Sequence, residues 1–154
     1  MKHDTTVERR SEREVVITRT FNAPAHLVFE AWTKPELMRR WWVPRSSGLT
    51  LLSCEMDVRT GGTYRFVFEH PAAPDGMAFF GRYLDVSPPS RLVWTNEEGG
   101  DAGQVSTLTL EDRGDTTRIV LHELYPSSEA LDAGAGAYDG MPESFGQLDE
   151  LLAG

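Results

Sequence analysis

Between Thr50 and Leu124 the sequence alternates short β-branched and aromatic runs with turn signals, and no helical period intervenes. The runs are Thr50 to Val58, Thr63 to Glu69, Met77 to Val86, Arg91 to Asn96, Val105 to Leu110 and Thr116 to Leu124. They are separated by Thr60-Gly61-Gly62, a His70 to Gly76 loop, Ser87-Pro88-Pro89-Ser90, a glycine-rich acidic stretch over 97–103, and Asp112-Arg113-Gly114-Asp115. Strands joined by such short links run antiparallel, because a parallel pair needs a long crossover. This stretch therefore predicts a long antiparallel meander.

The flanks add helices. Glu14 to Phe21 (EVVITRTF) reads as a strand, and the charged residues 1–13 before it read as a loose arm. Pro24 to Trp32 predicts a short helix, with Val28, Ala31 and Trp32 on one face. Pro35 to Trp42 predicts a second, with Leu37, Met38 and Trp41 at the same spacing. Thr33 followed by Glu36 reads as a capping box, with Pro35 in the first turn. Val43 to Gly48 reads as a loop. Near the end, Leu131, Tyr138, Met141, Phe145, Leu148 and Leu152 fall on one helical stripe. That stripe crosses Gly134, Gly136, Gly140 and Pro142. A mid-helix proline loses a hydrogen bond, so the prediction is a weak or broken first half and a firm helix starting near Pro142. The sum is an α+β fold: a curved antiparallel β-sheet wrapped around a C-terminal helix, with two short helices after the first strand.

Several strands are apolar on both phases. Tyr64, Phe66 and Phe68 oppose Val67; Met77, Phe79 and Tyr83 oppose Phe80, Leu84 and Val86; Leu92 and Trp94 oppose Val93. A sheet with one solvated face would alternate more cleanly. Large aromatics around a single helix favour a concave apolar pocket, and a plainly packed aromatic core is the other reading of the same pattern.

Composition removes several function classes. A length of 154 residues suits one domain with a real core, expected here over 14–154. No apolar run is long enough to span a bilayer, and the charged start does not read as a signal peptide. With the single cysteine, Cys54, this predicts a cytoplasmic protein without an internal disulfide. The net charge is −9, and the stretch from Glu97 onward holds only Arg113 and Arg118 as bases. Nucleic-acid binding is not expected of such a surface.

Motifs of chemistry are sparse. His3, His26, His70 and His122 have no metal-ligand spacing. No glycine-rich phosphate loop joins a strand to a helix, and no GxSxG elbow exists. No cofactor is expected. Cys54 reads as a buried inert thiol. Asp57 and Arg59 lie two apart and read as a structural ion pair. His122 and Glu123 are adjacent on one strand, so only one of them can face a pocket. Tyr64, Tyr83, Arg82 and Glu55 are candidates to orient a polar group.

The order of these pieces resembles the helix-grip, START-like superfamily, and within it the branch named for the heat-shock-protein-90 ATPase activator homologues. The resemblance spans about residues 14–152. It is carried by FNAPAHLVFEAWTKPELMRRWW, MDVRTGGTYRF, GRYLDVSPPSRLVWT, TLTLEDRGDTTRIVLHE and GMPESFGQLDELLAG. The last piece departs from the family, which often has Gly-Trp where this chain has Gly140-Met141 before Pro142. The resemblance implies a helix-grip fold and an internal cavity for a small hydrophobic ligand, held by a carrier or sensor. Its expected lining is drawn from Trp41, Tyr64, Phe66, Phe68, Phe79, Tyr83, Trp94, Tyr138, Met141 and Phe145. An enzyme of cyclase or hydrolase type on the same fold is the alternative, and a chaperone-interacting module is a third. The sequence leaves pairing of two copies through an exposed sheet face open. Membrane insertion is not expected.

Overall fold

The alternating runs pair into eight strands: β1 Thr6–Arg9, β2 Glu14–Phe21, β3 Thr50–Met56, β4 Thr63–His70, β5 Ala73–Ser87, β6 Arg91–Asn96, β7 Gln104–Asp112 and β8 Thr117–Leu124. The computed structural model describes residues 4–71, 73–97, 103–133 and 139–153. All eight strands form one antiparallel sheet in the order β1-β2-β8-β7-β6-β5-β4-β3. The meander from β3 to β8 places each strand beside the next, and β2 then pairs with β8 along its whole length, from Glu14↔Leu124 to Phe21↔Thr117. Four helices are described: α1 Ala25–Thr33, α2 Pro35–Trp41, α3 Ser128–Ala133 and α4 Met141–Ala153, with one 3-10 turn at Arg45–Ser47.

Side-chain alternation decides which phase is inside. On β8, Thr117, Ile119, Leu121 and Glu123 are buried, while Arg118, Val120 and His122 are partly exposed. Tyr64, Phe66 and Phe68 are the inward residues of β4. Phe145 and Leu148 of α4 are completely buried in the same core, and Phe145 meets Phe21 edge-on at 5.4 Å. The α4 helix thus lies against the inner face of the sheet. Buried Arg19 of β2 and partly exposed Asp149 of α4 form an ion pair across that seam. Polar residues of α4 also fasten the chain that follows α2. Gln147 Nε2 donates to the carbonyls of Trp41 and Val43 at 2.9 and 2.8 Å, and its Oε1 accepts from Arg45 N–H.

Four sequence expectations need correction. Residues 1–13 are not wholly a loose arm, because Thr6–Arg9 pairs with β2 from Thr6↔Thr18 to Arg9↔Val15. Its side chains are all exposed, so this edge strand buries nothing and leaves no apolar period to read. The Thr33–Glu36 capping box does not form. Thr33 is the last residue of α1, and its hydroxyl bonds back to the Phe29 carbonyl at 2.9 Å. Lys34 is the N-cap of α2 and makes no side-chain cap bond; it pairs with Glu30 at 2.7 Å. The loop expected over His70 to Gly76 is mostly strand, since His70 pairs with Ala73. Gly76 at φ +88° and a register irregularity beyond Phe68 absorb the turn signal there. Finally, Val43 to Gly48 contains the 3-10 turn.

The C-terminal prediction fits better. The α4 helix begins at Met141, with Pro142 in its first turn, where a missing N–H costs little. The shorter α3 precedes it, and residues 134–138 between them lie outside the described residues.

Candidate functional site

Eight of the ten aromatic and apolar residues expected to line a site do meet. Trp41, Tyr64, Phe66, Phe68, Tyr83, Trp94, Met141 and Phe145 belong to one buried cluster. Phe79 sits on the same inner phase, opposite Phe66, with its ring 5.2 Å from Phe68, yet it remains 36% exposed. Tyr138 lies outside the described residues. The other phase of β5 faces out: Phe80 and Leu84 are exposed.

The helices bring the indoles together. Trp32 of α1 packs against Trp41 at 4.8 Å, Trp42 at 5.7 Å and Trp94 at 5.9 Å. Trp41 Nε1–H donates to the Ala31 carbonyl at 2.9 Å, which fixes α2 against α1. The buried Nε1–H of Trp32 has no acceptor among the described residues. A buried polar atom without a partner is costly and asks for an explanation.

A polar chain borders these rings and crosses the inner face. The Tyr64 hydroxyl lies 2.6 Å from the Thr95 carbonyl and 3.0 Å from Asn96 Oδ1. Asn96 Nδ2 donates to Ser106 Oγ at 3.0 Å, and Ser106 Oγ donates to Glu123 Oε2 at 2.6 Å. Gln104 Nε2 donates to the same oxygen. Glu123 is 8% exposed. Burial pushes its carboxyl up to about 7, against the pull of the Ser106 and Gln104 hydrogen bonds. Among the described residues, both of these bonds go to Oε2, Oε1 receives none, and no lysine or arginine pairs with the group.

Glu123 was the residue that sequence reasoning left unweighted. The signal was available: Arg118 and His122 share one phase of β8, which assigns Ile119, Leu121 and Glu123 to the other. His122, its neighbour, points away and bonds Glu14 Oε1 at 2.8 Å. That contact holds the Glu14 carboxyl below its ordinary value.

The remaining candidates lie elsewhere. Glu55, Asp57, Arg65, Phe80, Arg82 and Glu97 border an open groove of about 760 Å³ beside the end of β3, the start of β4 and the middle of β5. Its charges are largely satisfied: Arg82 pairs with Glu97 at 2.9 Å, and Asp57 with Arg59 at 2.9 Å, the structural pair expected from their spacing. Tyr83 is buried, which raises its phenol above the ordinary range. Cys54, half-buried opposite Phe66, has its thiol pushed up to about 11 by burial, so it is a poor nucleophile. No group of three or more metal-binding side chains occurs among the described residues. No helix among them is long and apolar enough to cross a membrane.

This arrangement of sheet and helices is shared with solved structures. A protein from Rhodobacter sphaeroides aligns with a TM-score of 0.84 at 25% identity, covering 97% of this chain and 98% of its own. Protein NE0264 from Nitrosomonas europaea aligns at 0.81 and 24% identity, covering 94% and 97%. Protein Ms6760 from Mycobacterium smegmatis aligns at 0.80 and 22% identity, covering 97% and 98%. These likenesses are of fold. No curated protein matches the sequence. A family model, described as activator of Hsp90 ATPase homolog 1-like protein, matches residues 22–153, from the turn before α1 to the end of α4. The chain therefore belongs to the family of activator of Hsp90 ATPase homolog 1-like proteins.

Proposed function

We propose that this protein binds a small, largely apolar molecule between the inner face of the sheet and its helices. The observation that carries this reading is the meeting of an aromatic cluster with inward polar groups that the described residues leave open. The buried Trp32 Nε1–H has no acceptor among the described residues, and Glu123 Oε1 receives no hydrogen bond from them. A bound molecule with an apolar body and a polar end would cover the rings and partner those atoms. The cyclase- or hydrolase-type alternative needs a titrating group inside the cavity, and of the groups considered Glu123 alone lies on the inner face. His122 faces Glu14, and Glu55 and Asp57 border the open groove, so any such chemistry would fall to Glu123 alone.

Native mass spectrometry of the gently purified protein tests the proposal, together with saturable uptake of the neutral apolar probe N-phenyl-1-naphthylamine. A discrete extra mass that is lost on denaturation, or stoichiometric probe uptake, is expected. A clean apo mass with no probe uptake would overturn it. Trp94→Glu should abolish uptake, and a folded Trp94→Glu protein that binds as well as the original would remove this wall from the site.

A further inference from the structure

We propose that the interior site takes an amine: a molecule with an apolar body whose protonated amino group seats on Oε1 of Glu123. This inference rests on the ligand-binding reading above and specifies the class of ligand. Its first support is the incomplete set of partners around the carboxylate. Every donor that reaches Glu123 among the described residues is neutral, and both serve Oε2. A carboxylate more than nine-tenths buried is held charged only at a cost unless a cation accompanies it.

The nearby charges are already committed. Arg19 shares the inner phase of β2 but pairs with Asp149. His122 lies on the outer phase against Glu14. A ligand ammonium would supply the missing charge and a donor for the open oxygen. An alcohol would supply only the donor, and a carboxylate ligand would be repelled.

Register gives the second support. Tyr83 pairs with Trp94, Trp94 with Ser106, Ser106 with Glu123 and Glu123 with Val15. These residues form one row across the inner face, with the carboxylate between an aliphatic neighbour and an aromatic flank. Two strand spacings, about 10 Å, separate Trp94 from Glu123. That is the span of an amine with a modest hydrocarbon body. Aromatic rings also favour a nearby cation through their negative faces.

Isothermal titration with octylamine, 1-octanol and octanoate at a pH of about 8, where Glu123 is ionised, tests this. Octylamine should bind tighter than octanol by on the order of tenfold, with octanoate weakest. In Glu123→Gln the amine and the alcohol should bind alike. An alcohol or carboxylate that binds the unmodified protein as tightly as the amine would overturn the inference. So would an amine preference that survives in a folded Glu123→Gln protein. In either case the ligand-binding reading would stand. Binding of none of the three would remove both. The ranking in the unmodified protein decides the matter even if the variant does not fold.

Discussion

A single carboxyl, that of Glu123, has a direct consequence for stability. Its folded value of about 7 lies above the unfolded value of 4.5. Between those values the folded state holds more protons than the unfolded one, so this group's contribution is full below 4.5 and is lost as pH rises towards 7. The whole effect is on the order of 3 kcal/mol. Glu14, Glu97 and Glu143 have lowered values and act in the opposite direction, so the difference between two proteins is the useful quantity. The melting temperature of Glu123→Gln, relative to the original, should rise between pH 5 and pH 8, measured by circular dichroism. A difference that stays flat would show that Glu123 does not titrate in this range. Gly81 is a second sensitive residue. A Cβ there would stand 2.0 Å from the Thr95 carbonyl oxygen. Gly81→Ala should therefore force β5 and β6 apart and cost about 2 kcal/mol or more. At this scale the sequence was half legible. Aromatic and apolar residues announce burial by type, and eight of the ten residues expected to line a site lie in one buried cluster. Glu123 and Asn96 needed the phase of their strands, which Arg118 and His122 mark on β8 and which apolar residues on both phases obscure on β6.

Among the elements, α4 is fastened by polar groups as well as by its apolar stripe. Removing the carboxylate of Asp149 would leave Arg19, which is only 4% exposed, charged and unpaired. Asp149→Ala should cost about 3–5 kcal/mol in urea unfolding. Replacing both partners, as Arg19→Met with Asp149→Leu, should recover most of that loss. If the double variant is as unstable as the single one, packing rather than charge is the cause. Gln147→Leu keeps volume but strands two carbonyls and one N–H at the end of α2. It should cost about 1–3 kcal/mol by the same measurement. The start of α4 and its apolar face were legible, because the period and Pro142 agree. Its inward polar residues were not, because amphipathic reading places every glutamine and aspartate in solvent. The β1 strand escaped for a related reason: an edge strand with four exposed side chains carries no hydrophobic signal.

The whole molecule places one sheet, four described helices and one buried cluster in mutual contact. Such a chain should unfold in a single transition, with calorimetric and van't Hoff enthalpies equal. A calorimetric value well above the van't Hoff value would mean that some part of the molecule melts separately. The antiparallel meander, and with it the fold class, was legible because short links leave no other way to join the strands. The candidate site was less so, since it depends on which residues of distant elements share a row. The clustering of the four tryptophans, Trp32, Trp41, Trp42 and Trp94, has a further consequence. Each lies within 6 Å of at least one other, ring centre to ring centre. At such separations an absorbed photon migrates among indoles before it is emitted. The four rings behave as one antenna, so a molecule that touches only Trp94 would dim the light of the whole chain.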